Sequence, residues 1–112
     1  MSEFVYLYRR PAAPPPSPQQ MQERMQKWGA WFKSLEQNGH LVTIGHPLET
    51  QGSVVNDKKG SMSDGPYAET KDIVAGFSIV KAKDLKEASA LAAGCPVLEQ
   101  GGLVEVRPIM KM

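Results

Sequence analysis

The sequence is short of the residues that build covalent or metal frameworks. Cys95 is the only cysteine, which excludes an internal disulfide, and no CxxC, HExxH or carboxylate-rich loop encodes a metal site. His40 and His46 share strand parity, but an extended strand separates them by ~20 Å, too far for one ion to bind both. An excess of one charge is also lacking. Thirteen basic side chains meet 12 acidic ones, for a net charge of +1, so there is no electrostatic footprint for nucleic acid or for an anionic membrane. No apolar run approaches the ~20 residues of a membrane span, and Met1–Arg10 lacks the basic-then-apolar layout of a signal peptide. These absences lead us to expect a soluble, cytoplasmic protein with no metal, cofactor, nucleic-acid or membrane partner.

What is present fits one globular core. The chain has 112 residues, 41% hydrophobic and 22% charged, which predicts a single domain over residues 1–112. Glu3–Tyr8 reads as a strand with Phe4, Tyr6 and Tyr8 on one face and Val5 and Leu7 on the other. Arg9 and Arg10 end it. Pro11–Pro18 holds five prolines and reads as a stiff connector; its formal PxxP lacks the flanking basic spacing that recognition modules read. Ser17, Pro18 and Gln20 form a capping box for a first helix. Met21, Met25, Trp28, Phe32 and Leu35 form its apolar stripe, and Asn38-Gly39 stops it.

His40–Pro47 is the next strand, Gly52–Val55 a short one, and Asn56–Gly60 turn chemistry. Ile73–Lys81 is the strongest strand, with Ile73, Ala75, Phe77 and Ile79 on one side and Val74 and Val80 on the other. Asp84 and Glu87 cap a second helix with Leu85, Ala88, Leu91 and Ala92 on its apolar face, ended by Gly94. Leu103–Ile109 closes the chain as a strand. Two right-handed βαβ crossings in this order give an α+β fold, a ferredoxin-like split βαβ sandwich. Two helices cover only one face of such a sheet, yet the first and fourth strands are apolar on both. A second copy of the chain is the simplest cover, so a homodimer is expected.

Two features carry candidate chemistry. Ser63–Asp72 packs charges, an aromatic ring and a hydroxyl into a loop before the most buried strand. It serves either as a solvated turn or as a binding loop at the mouth of the sheet. Glu105 and Arg107 alternate with Val104 and Val106 and so share a face, where Arg107 offers a planar donor fork to a carboxylate. Asp64 and Arg107 are expected to converge on one pocket, because the loop before the central strand and the final strand can reach the same sheet end. Cys95, after a helix and before Pro96, reads as a small buried hydrophobe rather than a nucleophile.

Asp64–Asp72, DGPYAETKD, closely resembles the DGPFAETKE signature of one branch of the YCII-related proteins, and Glu105-Val106-Arg107-Pro108 is similar to the family's EVRP ending. The intervening strand, helix and Cys95-Pro96 follow the same order, so the resemblance covers essentially the whole chain. It implies a ferredoxin-like subunit paired into a dimeric α/β barrel. It fixes no single reaction. A His–Asp active-site pair has been suggested for some members, a related branch is linked to dehydrochlorination of chlorinated aromatics, and DGPF members are often encoded beside sigma factors. This chain has no His in the first helix region, and Cys95 replaces the usual Asp, so that pair does not carry over. The resulting expectation is a small organic ligand in a pocket of a homodimer. Asp64 and Glu69 are the candidate acid/base groups for isomerase- or lyase-like proton transfer, and Tyr67, Lys71, Glu105 and Arg107 the candidate ligand-binding groups. The competing expectation is a non-catalytic interaction or regulatory module, for example one acting with a sigma factor.

Overall fold

The computed structural model describes residues 1–11, 13–55, 57–60, 62–65 and 72–112, with side chains excepted at 62–65 and 72. The elements are β1 (Ser2–Pro11), α1 (Pro18–Gln37), β2 (Leu41–Pro47), β3 (Gly52–Val55), β4 (Met62–Gly65), β5 (Asp72–Ala82), α2 (Leu85–Ala92), a 3₁₀ turn (Pro96–Gln100) and β6 (Leu103–Pro108). Four strands form an antiparallel sheet in the order β2-β5-β1-β6. The chain is therefore α+β. β5 lies between β1 and β2, and β1 lies between β5 and β6, so each helix connects two strands that do not touch.

The cap chemistry behaves as the sequence predicts. Ser17 Oγ accepts from the Gln20 amide at 3.2 Å while Gln20 Oε1 accepts from the Ser17 amide at 3.0 Å, closing both halves of the box. Gly39 takes a φ of 77° just past the C-cap Asn38. For α2, Asp84 accepts from the Glu87 amide at 2.8 Å, but Glu87 reaches back to the Lys83 amide.

Both helices lie on one face of the sheet. Phe4, Tyr6 and Tyr8 of β1 and Val80 and Ala82 of β5 pack there against Trp31, Leu35, Ala88, Ala92, Cys95 and Val97. Among the described residues no helix is long and apolar enough to cross a membrane.

Several expectations change. β1 does not stop at Arg9, because its pairing with β5 continues to Pro11 opposite Asp72; at a strand end, proline's missing N–H costs no ladder bond. Met21 and Met25 are 45% and 66% exposed. α1, about 30 Å long at 1.5 Å per residue, overruns the sheet, so only its second half meets the core. There Trp31, absent from the expected stripe, is buried. Ser63–Gly65, expected to lie in the loop, belongs to a strand over Met62–Gly65. It pairs with β3 in a separate two-stranded hairpin, because the Asp57–Gly60 turn, held by the Lys59 amide on Asp57 Oδ1 at 2.9 Å, folds the chain back.

Candidate functional site

The face of the sheet away from the helices carries the exposed chemistry. Glu105 stands opposite Leu7, Arg107 opposite Val5, and these pair in turn with Phe77 and Ile79 of β5. Strand pleating puts all six on one face, with half-buried Val5, Leu7, Phe77 and Ile79 as its apolar floor. Arg9 Nη1 donates to Glu105 Oε1 at 3.3 Å. With both side chains about a third exposed, this pair contributes at most ~1 kcal/mol. Arg107 is exposed and forms no ion pair among the described residues. Its guanidinium fork is free to take a carboxylate in two parallel hydrogen bonds.

His46 joins this face, which strand parity alone would not reveal. Simple alternation would put Thr43 and His46 on opposite faces. Instead the β2–β5 register shifts between them, so Thr43 lies opposite Ile79 and His46 opposite Phe77. Gly45 makes this bulge: its φ is 67°, and a Cβ there would lie 1.9 Å from the Phe77 carbonyl oxygen. The His46 ring meets Phe77 edge-on, with centroids 6.2 Å apart. The usable signal in the sequence was Gly45 itself, a bulge residue inside a strand pattern. His40 is occupied elsewhere, its Nδ1 2.9 Å from the Lys81 carbonyl oxygen.

The opposite face is chemically closed. Tyr6 stacks on Trp31 at 5.9 Å, and Tyr8 meets Trp28 edge-on at 4.8 Å. The Tyr6 hydroxyl donates to the Ala88 carbonyl. The Tyr8 hydroxyl donates to Ser78 Oγ at 2.8 Å, and Ser78 donates to the Ile44 carbonyl at 2.7 Å. Among the described residues no buried side-chain nitrogen or oxygen lacks a hydrogen-bond partner. Burial pushes the Cys95 thiol up to about 12 and the Tyr6 hydroxyl to about 12, and raises Tyr8 as well. All three therefore stay protonated at neutral pH. Cys95, 2% exposed, is a core residue and not a thiolate nucleophile.

Asp64 lies on β4, opposite Ser53; its side chain, and all of Tyr67, Glu69 and Lys71, lie outside the described residues. The sheet end from which β5 starts is not the end that carries Arg107. β5 begins at Asp72, opposite Pro11, whereas Arg107 stands level with Val5 and Ile79. The path from Asp72 to Ile79 is on the order of 20 Å at ~3.3 Å per residue. The end of the sheet near the loop meets the start of β6 at Leu103, and Arg107 lies at the other end.

Among the described residues no three His, Cys, Asp or Glu side chains are grouped to hold a metal ion. The arrangement is suited to binding: an apolar floor for a hydrocarbon or ring, one free guanidinium for an anionic group, and an imidazole at the β2 side. No curated protein matches the chain. A sequence model of the YCII-related domain matches it from residue 1 to residue 112, and the chain belongs to the YCII-related domain family.

Proposed function

We propose that the protein binds a small organic acid on the open sheet face of a homodimer. The observation that carries this reading is the Arg107 fork, without an ion partner among the described residues, beside the apolar floor of Val5 and Leu7. A lone guanidinium next to apolar surface favours a ligand with a carboxylate at one end and a hydrocarbon or ring at the other.

The strand order β2-β5-β1-β6, with two crossings that each skip a strand, supports a ferredoxin-like subunit. The half-buried apolar floor supports pairing of two such sheets face to face as a dimeric α/β barrel. The DGPY stretch supports membership of the DGPF branch. In this reading Arg107, Glu105, Tyr67 and Lys71 bind and orient the ligand. Asp64 or Glu69, once partly desolvated, takes a proton from it, and a cationic side chain stabilises the anion that results. Isomerisation or elimination is the chemistry such groups perform. A cytoplasmic location accords with the buried free thiol.

Thermal unfolding with a panel of small aliphatic and aromatic carboxylic acids tests the reading. A ligand at one hundred times its Kd stabilises the folded state by ~2.7 kcal/mol and raises the midpoint. Arg107→Lys keeps the charge but loses the fork, so the unliganded midpoint should stay and the ligand-induced rise should shrink. Asp64→Asn should leave that rise intact and abolish proton transfer. If no acid moves the wild-type midpoint, the pocket reading falls.

A further inference from the structure

We propose that the β3–β4 hairpin is an intersubunit arm, which leaves its own chain and packs on the open sheet face of a second copy, at the end that carries Arg107. The inference rests on the dimeric reading above and deepens it, because it assigns one wall of the pocket to the partner chain.

Three observations converge on it. First, β3 and β4 pair with each other and make no extensive packing on another element among the described residues. Two strands alone are marginal in water and need a surface to hold them. Val55, opposite Met62 in the ladder, is 58% exposed. The radius of gyration is 15.5 Å, with extents of 45 × 43 × 19 Å, against about 13 Å for a compact chain of this length.

Second, the open face is small for the task of holding a dimer. Four strands ~4.8 Å apart and six to 11 residues long present roughly 500 Å² in projection, a modest footing for an interface of ~800 Å² of accessible surface per partner. An arm laid on the partner adds to that area. A second copy is therefore the occupant that satisfies both unpartnered surfaces at once, each chain giving an arm and receiving one.

Third, the hairpin leaves the sheet at the Pro47 and Asp72 end, while Arg107 lies at the other. A two-fold axis running across the strands reverses their direction in the partner. It brings the partner's hairpin end over this chain's Arg107 end, which no movement inside one chain needs to accomplish. Lys81, exposed and opposite Glu3 at that same end, then comes within reach of the partner's hairpin turn at Lys58 and Lys59.

The test mixes isotopically heavy and light full-length chains, allows them to exchange, and treats them with a short amine-reactive cross-linker. Lys58 or Lys59 should link to Lys81 in heavy–light pairs. In parallel, Val55→Asp should weaken the dimer about tenfold or more in sedimentation, as expected for a charge forced into an interface. The near-ultraviolet signal of the Tyr and Trp cluster should stay unchanged, because that cluster is remote from the hairpin. A wild-type dimer without heavy–light links between these lysines, or one whose Kd Val55→Asp leaves alone, overturns the arm and spares the dimer. A wild-type monomer at micromolar concentration overturns both.

Discussion

The two faces of the four-stranded sheet are made by alternate residues of the same strands, yet they behave as different materials. On the helix side Phe4, Tyr6 and Tyr8 are buried to 3%, 0% and 4% exposure, and both tyrosine hydroxyls have acceptors. On the other side Val5, Leu7, Phe77 and Ile79 are only half-buried, and Arg107 has no ion partner among the described residues. Hydrophobicity does not explain which face the helices chose. In β5 the covered positions are Gly76, Ser78, Val80 and Ala82, whereas the open ones include Ala75, Phe77 and Ile79. Small residues on the covered side let α1 and α2 approach closely, and the bulky aromatics of β1, Trp28 and Trp31 fill the space between. The larger side chains of β5 are left on the open face.

The contrast can be broken most severely at Trp31. It stacks on Tyr6 and donates its indole N–H to the Leu91 carbonyl at 3.3 Å. Trp31→Ala should cost about 3–5 kcal/mol, read as a lowered denaturant midpoint. A loss below ~1 kcal/mol would mean that the covered face is no more a core than the open one.

The next effect appears in alkali. In the unfolded chain Cys95 ionises near its ordinary value of 9.0, but in the fold burial holds it protonated to about 12. Above pH 9 the unfolded state therefore binds fewer protons than the native state, and stability falls as pH rises. This contribution is complete below pH 9 and lost as pH climbs through about 12, amounting to roughly 2–4 kcal/mol over that window. Cys95→Ala should flatten the fall in an alkaline unfolding series. The native thiol should also react slowly with thiol reagents and quickly after unfolding; fast native labelling would mark the covered face as open to solvent.

The smallest effect sharpens the comparison from the other side. In an isolated subunit Leu7→Ser removes a half-exposed side chain, a loss of about 1 kcal/mol. In a dimer that covers the open face the same change should cost more as protein concentration rises, because assembly is lost with it. Unfolding midpoints at two concentrations separate the cases. A cost independent of concentration leaves the face uncovered.

Local chemistry was the legible part of the fold. The Ser17 box, the Gly39 stop and the Asp84 cap are each decided within a few residues by hydrogen-bonding groups that have nowhere else to go. Alternation in β1 separated its faces for the same reason. Sequence and structure part where two segments have to be compared. Met21 and Met25 follow the period of the stripe, but the length of the sheet decides how much of α1 finds a partner. Trp31, three residues after Trp28 and four before Leu35, fits the helical spacing as well as Phe32 does, and only packing shows that Trp31 is the more buried of the two. His46 was hidden by the Gly45 bulge, which inverts parity in a way visible only once the opposite strand is known.

For the site the division is similar. Glu105 and Arg107 share a face because two residues apart in any strand must do so, and the sequence alone determined that. It also determined that Cys95 has no local activator in sequence, and the fold buries its thiol. The ends of the sheet were another matter. That Arg107 lies level with Val5 and Ile79, at the end away from Asp72, follows from antiparallel registers between strands far apart in the chain. Sequence periodicity fixes what a strand shows on each side. Only the tertiary register, set by which side chains interlock across neighbouring strands, decides where along the sheet those sides meet.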